Sequence, residues 1–357
     1  MMKQWSSQVI AVIRLELRKT FFARRGLWIY LLAFAPVLLF ALHSLFAPRE
    51  QARRARMAEH HSLDTAALRS IREGFTTNQV EEKLGNPSYS SFGRIQSQGV
   101  RGDLEYRYTD GKAEYRFLFS KGAVKHITVI SQDTLDQDLL AFATSFQTFF
   151  LRLAIFFGCV GVFLNLFRGE MLDKSLHFYL LAPMRREVLL AGKYLAGLLA
   201  TAVIFASSAG LQLAALLSRF DRAELSAYLS GPGWGHIFAY LAITVLACVG
   251  YGSIFLALGM FFKNPIIPTA IVLIWEGINV FLPAILKKVS MIFYLQSLCP
   301  VVAPPDVQLP AAMKLIISTT DPVTPFEAVL GILIFTAIVL VIAGFRSRKL
   351  EINYSAD

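Results

Sequence analysis

Charged side chains are scarce in this chain of 357 residues. Only 17% of the residues are Asp, Glu, Lys or Arg, whereas 55% are hydrophobic and the mean hydropathy is +0.51. Soluble domains carry about 25% charged residues, so this shortage excludes a purely soluble protein, and the surplus apolar surface must face lipid. The chain has 3 cysteines, and none lies between residues 48 and 138. A disulfide framework is therefore excluded from that segment.

Catalytic motifs are also missing. A P-loop requires G-x-x-x-x-G-K-[ST]; around Gly192-Lys193 the chain has Glu187 in place of the first glycine and Tyr194 in place of the hydroxyl residue. The metalloprotease pattern H-E-x-x-H and the hydrolase pattern G-x-S-x-G do not occur. The sequence thus predicts that this chain is not an enzyme and binds no metal.

Long apolar runs are present instead. About 20 apolar residues in a helix span the roughly 30 Å of a hydrocarbon core. Six such runs occur, at residues 27 to 46, 142 to 167, 191 to 217, 235 to 261, 266 to 284 and 325 to 345. The sequence predicts an all-α polytopic membrane protein of six transmembrane helices, and the first run is interpreted as an uncleaved signal-anchor.

Basic residues beside the runs indicate the orientation. They are concentrated before the first run, between the second and third, and after the last, which places these segments and both termini in the cytoplasm by the positive-inside rule. Residues 346–357 then form a cytoplasmic tail. The net charge of +10 is explained by topology, so no nucleic-acid partner is predicted.

Residues 1–26 are predicted to form an interfacial helix. One arc of a 3.6-residue helix is apolar, and arginines flank it, as in helices that lie on anionic lipid. The apolar arc contains Trp5, Val9, Ile10, Ile13, Leu17 and Phe21, and the flanking arginines are Arg14, Arg18 and Arg25. A plain basic flank that only fixes orientation is the alternative.

Residues 48–138 differ in composition and predict an inserted small α+β extracytoplasmic domain. Residues 63 to 71 and 76 to 85 read as helices, the second with a capping box of Thr76 and Gln79. Three strands follow, at 104 to 109, 113 to 119 and 123 to 130, joined by Asp110-Gly111 and Lys121-Gly122 turns. Their alternating aromatic residues predict one sheet face covered by the helices.

This order of helices, turns and strands over residues 63–130 resembles the outer-membrane-assembly lipoprotein domain of the SmpA/OmlA (BamE-like) type. No lipidated cysteine precedes it here, which departs from that family. The resemblance implies a protein-docking module that binds another envelope protein. A structural spacer is the alternative.

The second cytoplasmic segment, residues 168–192, carries an acidic residue, a short amphipathic stretch, a proline with basic residues, and Gly192-Lys193 at the start of the next run. With the N-terminal helix and six runs, this order resembles the permease subunit of type-2 ABC exporters. The resemblance implies a coupling loop that docks into an ATPase. The predicted ATPase-coupling residues are Glu170, Asp173, His177, Pro183, Arg185 and Arg186.

The same resemblance implies the partners and the location. The chain itself would hold no cofactor, because ATP and Mg would bind the ATPase subunit. A second copy or a related chain, forming a homodimer or heterodimer, would complete the pathway in the inner membrane of a bacterium, in contact with membrane lipid. A solvated loop without a docking function is the alternative for 168–192.

Small and ionisable residues inside the runs predict packing and pathway sites. The third run carries a small-residue stripe at four-residue spacing, typical of helix contacts in lipid: Ala202, Ala206, Gly210 and Ala214. A contact within one protomer is preferred over a dimer contact. Arg152, Glu276 and Asn279 are predicted to line a polar translocation pathway. The alternative is an internal hydrogen bond or an Arg152–Glu276 pair.

The domain organisation that follows has five parts. After the helix 1–26 and the first transmembrane helix come the inserted domain 48–138 and a membrane region 139–345, which includes an outer re-entrant segment at 285–300. An exporter permease driven by a separate ATPase is the leading function. A non-transporting scaffold that presents the docking domain is the second hypothesis, and an intramembrane enzyme the third.

Overall fold

The computed structural model of the chain describes residues 2–22, 26–59, 65–97, 100–110, 113–130, 134–172, 185–301 and 323–348. The chain divides into two compact units. The first contains Met1–Ala41 and Leu139–Asp357, and the second contains Leu42–Asp138. Each unit has its own core, so each is described by itself.

The first unit is helical in its described residues. Its elements are α1 (Met2–Phe22), the first part of α2 (Leu27–Glu59), the larger part of α5 (Leu135–Ser145), a π-helix (Phe146–Ile155), α6 (Phe156–Leu172), α7 (Arg186–Leu217), α8 (Arg222–Tyr228), a π-helical turn (Leu229–Gly233), α9 (Trp234–Phe261), α10 (Ile266–Gly277), a 3-10 turn (Ile278–Phe281), α11 (Ala284–Lys287), α12 (Met291–Ser297) and α13 (Pro325–Arg348). Helix α9 packs against α6, α7 and α13 and forms the centre of the unit.

Five helical stretches within the described residues are long and apolar enough to cross a membrane. They are Leu27–Glu50, Leu135–Met171, Arg186–Leu217, Arg222–Phe261 and Pro325–Arg348. The sixth predicted span, 266 to 284, is not one continuous helix. Its helix α10 has 12 residues, about 18 Å at 1.5 Å per residue, and Pro283 follows the 3-10 turn. The described structure therefore leaves the six-span count unconfirmed.

Glycines outside the predicted stripe at 202 to 214 allow α6 to pack closely against α7 and α9. A Cβ atom on Gly158 would meet the ring of Phe205, and one on Gly252 would lie 2.5 Å from the ring of Phe163. A Cβ on Gly259 would lie 3.1 Å from the Leu164 carbonyl oxygen. These glycines let α6 approach α7 and α9, and aromatic side chains fill the spaces between them.

The second unit contains a four-stranded antiparallel sheet in the order β1-β2-β3-β4. The strands are β1 (Tyr89–Ser97), β2 (Val100–Thr109), β3 (Glu114–Ser120) and β4 (Ala123–Ile130), and two short helices precede them, α3 (Thr65–Ser70) and α4 (Thr77–Leu84). The helices and the last three strands were predicted. Strand β1 was not predicted, because its residues are mostly polar and Gly93, at φ 129°, lies at an irregularity in the pairing with β2.

Local sequence signals in the second unit are confirmed by the structure. Thr76 and Gln79 form the predicted capping box of α4. Lys121 and Gly122 have φ values of 54° and 80°, as a type I′ turn requires, whereas residues 111 and 112 of the other predicted turn lie outside the described residues.

Tyr106 packs with the helices and donates a 2.7 Å hydrogen bond to Glu81. This bond, with burial, raises the pKa of Tyr106 to about 12.

On the face of β2 and β3 that points away from the helices, two arginines and two glutamates form a network of ion pairs. Arg107 Nε lies 2.6 Å from Glu105, and Arg116 Nε lies 2.7 Å from Glu114. Both carboxylates are buried, so the pairing satisfies charges that would otherwise be costly to remove from water. The sheet is thus apolar on the helix side and charged on the other.

Candidate functional site

A fully buried lysine lies on α7, directly after the predicted coupling segment 168–192. Lys193 has 0% of its surface exposed, although a buried cation is costly unless it is paired. Its Nζ donates hydrogen bonds of 2.7 Å to Glu16 Oε1 and 2.8 Å to the Leu166 carbonyl oxygen, and lies 2.7 Å from Glu170 Oε2. One ammonium therefore connects α1, α6 and α7.

The two carboxylates that contact Lys193 belong to Glu16 and Glu170. Glu16 is 3% exposed, on the face of α1 that packs against α7. Glu170, near the end of α6, also accepts a 3.0 Å hydrogen bond from Lys19, whose side chain is about half exposed. Two lysines balance two glutamates, so the cluster has no net charge. We call Glu16, Lys19, Glu170 and Lys193 the lysine clamp.

Gly192 permits the close approach of α1 that the lysine clamp needs. A Cβ atom at Gly192 would lie 2.9 Å from Cβ of Val12, closer than real Cβ contacts allow. The buried face of α1 contains Val12 and Glu16, which lie beside the predicted apolar arc. Trp5 and Ile10 of that arc are exposed. The structure thus gives α1 a second contact face that the apolar pattern did not reveal.

The predicted coupling residues separate into three groups. Asp173, His177 and Pro183 lie outside the described residues. Glu170 is buried in the lysine clamp, so its carboxylate contacts this chain. Arg185 is exposed with its guanidinium 4.8 Å from the Trp5 ring, and Arg186 donates a 2.7 Å hydrogen bond to the Arg348 carbonyl oxygen.

A second connection joins the start of α7 to the end of α13. Arg348 Nε lies 2.6 Å from Glu187 Oε1, and Arg186 bonds to the backbone of the same residue. Both side chains of the ion pair are exposed, and such pairs contribute about 0 to 1 kcal/mol. The exit of the loop is therefore joined to α1 and α13.

Glu276 is held by hydrogen bonds from several groups of this chain. Its carboxylate accepts hydrogen bonds from Ser290 Oγ at 2.8 Å, Met291 N at 3.0 Å, Ile292 N at 2.9 Å and the Tyr251 hydroxyl at 3.3 Å. The two backbone donors belong to the first turn of α12, which Glu276 caps. Glu276 thus forms the internal hydrogen bonds named as the alternative, and its place in a translocation pathway stays a prediction.

Arg152 is not part of that network. It lies in the π-helix, and no ion pair joins it to Glu276 or to any other described carboxylate. Its Nε is buried without a hydrogen-bond partner, and so is Nδ2 of Asn279. The alternative of an Arg152–Glu276 pair is thus not formed as a direct contact in this structure, although the two groups interact electrostatically.

The family comparison decides the class of this helical unit. The family model described as "ABC-2 family transporter protein" matches residues 10–346. The chain belongs to this family. A search of curated proteins found no match. An ABC-2 chain is a membrane permease subunit, and the family implies a partner subunit that binds ATP.

In this ABC-2 permease, Glu170 of the lysine clamp precedes the loop between α6 and α7, and Arg185 to Glu187 and then Lys193 follow it. Among the described residues, no group of three His, Cys, Asp or Glu side chains could hold a metal ion. The membrane components of this family are not themselves catalytic.

The predicted packing stripe is less buried than the neighbouring face of α7. Ala202, Ala206 and Gly210 are half-buried, and Ala214 is exposed. A Cβ on Gly210 would meet only Leu241, at 3.9 Å. Ser208 lies on the fully buried face and donates a 2.6 Å hydrogen bond to the Ala33 carbonyl oxygen. The tight contacts of this permease therefore involve another face of α7.

An apolar cleft of about 370 Å³ lies beside Glu276. Side chains of α9, α10 and α13 line it, together with Val289. The lining includes Ile254, Leu258, Trp275, Phe335 and Val339. No sequence signal identified this cleft, because its lining residues come from helices distant in the chain.

Proposed function

We propose that this chain is the permease subunit of an exporter in the inner membrane of a bacterium. A separate ATPase drives it, and two copies, or this chain with a related one, form the pathway. Both termini lie in the cytoplasm, and ATP and Mg²⁺ bind the partner. The lysine clamp is the observation that supports coupling most strongly, because it joins α1 to both ends of the loop that would contact the ATPase.

The clamp suits the transmission of movement. Lys193 bonds to a side chain of α1 and to the backbone of α6, so a displacement of the loop moves these helices with α7. The ions are buried, and buried pairs are screened much less by salt than exposed ones. The two ends of the loop are thus held rigidly to the helices, and the exposed Arg185 is accessible to a partner.

The second unit has a separate role in this proposal. It is placed on the extracytoplasmic side and docks an envelope protein, as its resemblance to a docking domain implies. The charged face of β2 and β3 offers side chains for polar recognition, since Arg107 and Arg116 are each about 30% exposed. Deleting residues 50 to 136 is expected to leave ATPase coupling in place while removing envelope-protein binding.

Cross-linking from the loop tests the permease proposal. The three native cysteines are buried, so Met184→Cys next to Arg185 accepts a maleimide photo-cross-linker selectively. We expect the full chain, purified from its own host, to cross-link to a protein that azido-ATP labels in the presence of Mg²⁺. Neutralising Arg185 and Arg186 together is expected to reduce this product.

Arg222→Cys is the matched control, because Arg222 is an exposed cation at the start of α8, on the loop predicted to lie outside. No nucleotide-labelled product is expected from this position. Equal products from both positions, or none from Met184→Cys, would contradict the proposal.

A further inference from the structure

Arg152 is an arginine in an apolar span that this chain does not neutralise by direct contact. It forms no hydrogen bond and no ion pair within the described residues, and its Nε is buried. The side chain is half-buried, so part of the guanidinium remains accessible. A charged residue at such a depth is costly, and those that occur are usually paired or functional.

The acidic group that interacts electrostatically with Arg152 is already hydrogen-bonded to other parts of this chain. Glu276 interacts electrostatically with Arg152, but its two oxygens accept four hydrogen bonds. Tyr251 also interacts electrostatically with Arg152, and its hydroxyl donates a hydrogen bond to Glu276. Neither group forms a hydrogen bond with the guanidinium.

The backbone around Arg152 is also unusual. The π-helix Phe146–Ile155 interrupts the long helical span between α5 and α6, and π-helical segments occur frequently at functional sites. A guanidinium presents five N–H donors in a planar fork that matches the oxygens of a carboxylate or phosphate. The missing acceptor at Arg152 is thus an oxyanion.

We propose that Arg152 binds the oxyanion head of an amphiphile, a phosphate or carboxylate on an apolar chain, within the membrane. The inference rests on the proposed permease function, because a transported molecule must pass the span that carries Arg152. An apolar tail fits the surroundings: Glu276, in electrostatic range of Arg152, also lines the apolar cleft. The head could belong to a transported amphiphile or to a membrane phospholipid.

Binding to the full chain in nanodiscs of phosphatidylcholine tests the proposal without any ATPase. One arm titrates dodecyl phosphate, and the other replaces part of the lipid with phosphatidylglycerol, with retained molecules counted by native mass spectrometry. We expect Arg152→Gln to weaken retention roughly ten- to hundredfold, since a charge-assisted hydrogen bond is lost. Arg152→Lys should retain part of the affinity.

Arg222→Gln is the control for general attraction of anions to a basic protein, and it is expected to bind like the wild type. Loss of dodecyl phosphate alone in Arg152→Gln identifies a transported amphiphile, whereas loss of phosphatidylglycerol identifies a bound lipid. Either result supports the oxyanion site.

Equal binding by wild type and Arg152→Gln in both arms would overturn the inference, and so would an absence of binding. Failure of Arg152→Gln to fold would also overturn it, because a residue without an intrachain partner is not needed for folding. The cross-link from Met184→Cys is independent of these results, so the permease proposal would stand or fall separately.

Discussion

Two cations of the helical unit, Lys193 and Arg152, have opposite environments. Lys193 is completely buried, and two carboxylates and a carbonyl oxygen surround it. Arg152 is half-buried and has no such partner within the described residues. The chain thus satisfies one cation internally and leaves the other for an external anion.

Lys193 is therefore a charge that stabilises the fold, whereas Arg152 is a charge that binds a ligand. Removing a partner from a buried ion cluster leaves an uncompensated charge, which is strongly destabilising. Removing a cation that has no partner leaves nothing unpaired. Substitutions at the two sites should therefore change stability in opposite directions, and the comparison fails if they do not.

Lys193→Met is expected to have the largest effect. It leaves Glu16 and Glu170 buried, with only half-exposed Lys19 to balance them, and the loss of stability should be about 3 to 5 kcal/mol. The fraction of the purified chain that stays monodisperse after heating measures this change.

Two further variants control for Lys193→Met. Adding Glu16→Gln and Glu170→Gln should recover part of the loss, because the unpaired charges disappear. Lys288→Met, at an exposed position, should be neutral. If Lys193→Met were as stable as Lys288→Met, the clamp would have no structural role.

Glu276→Gln should have an intermediate effect. An amide can accept at one oxygen only, and its NH₂ group would face backbone donors of α12, so about 1.5 to 3 kcal/mol should be lost. Amide hydrogen exchange should rise in Met291–Ser297 before it rises elsewhere. Glu224→Gln, on an exposed part of α8, is the control. Unchanged exchange in α12 would show that Glu276 does not hold it.

Arg152→Gln should have the smallest effect on stability, and the opposite sign. Removing a charge that no described residue pairs should raise the thermal stability by about 1 kcal/mol. The same heating assay measures it in phosphatidylcholine alone, where no anionic lipid contributes. A loss comparable to that of Lys193→Met would reveal an intrachain partner and remove the contrast between the two cations.

Local features of the fold were predictable because they depend on neighbours in sequence. The capping box needs only Thr76 and Gln79, and the turn at Lys121-Gly122 needs only two positive φ values. Apolar length likewise identified five helices of the described chain that could cross a membrane. Strand β1 was missed because it lacks the aromatic alternation of the other strands.

The sites depended on tertiary contacts that sequence spacing does not encode. Glu16 and Lys193 are 177 positions apart, and Glu16 carried no motif that would have signalled a partner. The ionisable positions Arg152 and Glu276 were found from their unusual place in apolar runs. Their bonding was not predictable, because it depends on how α12 folds back onto α10.

Sidedness is the most direct test of the central claim that the loop after α6 faces the cytoplasm and the second unit does not. Arg185 and Glu82 are both exposed, so Arg185→Cys and Glu82→Cys can be labelled with a membrane-impermeant maleimide. In cells with a permeabilised outer membrane, we predict labelling of Glu82→Cys at once and of Arg185→Cys only after the inner membrane is opened. Immediate labelling of Arg185→Cys, with Glu82→Cys protected, would contradict the account.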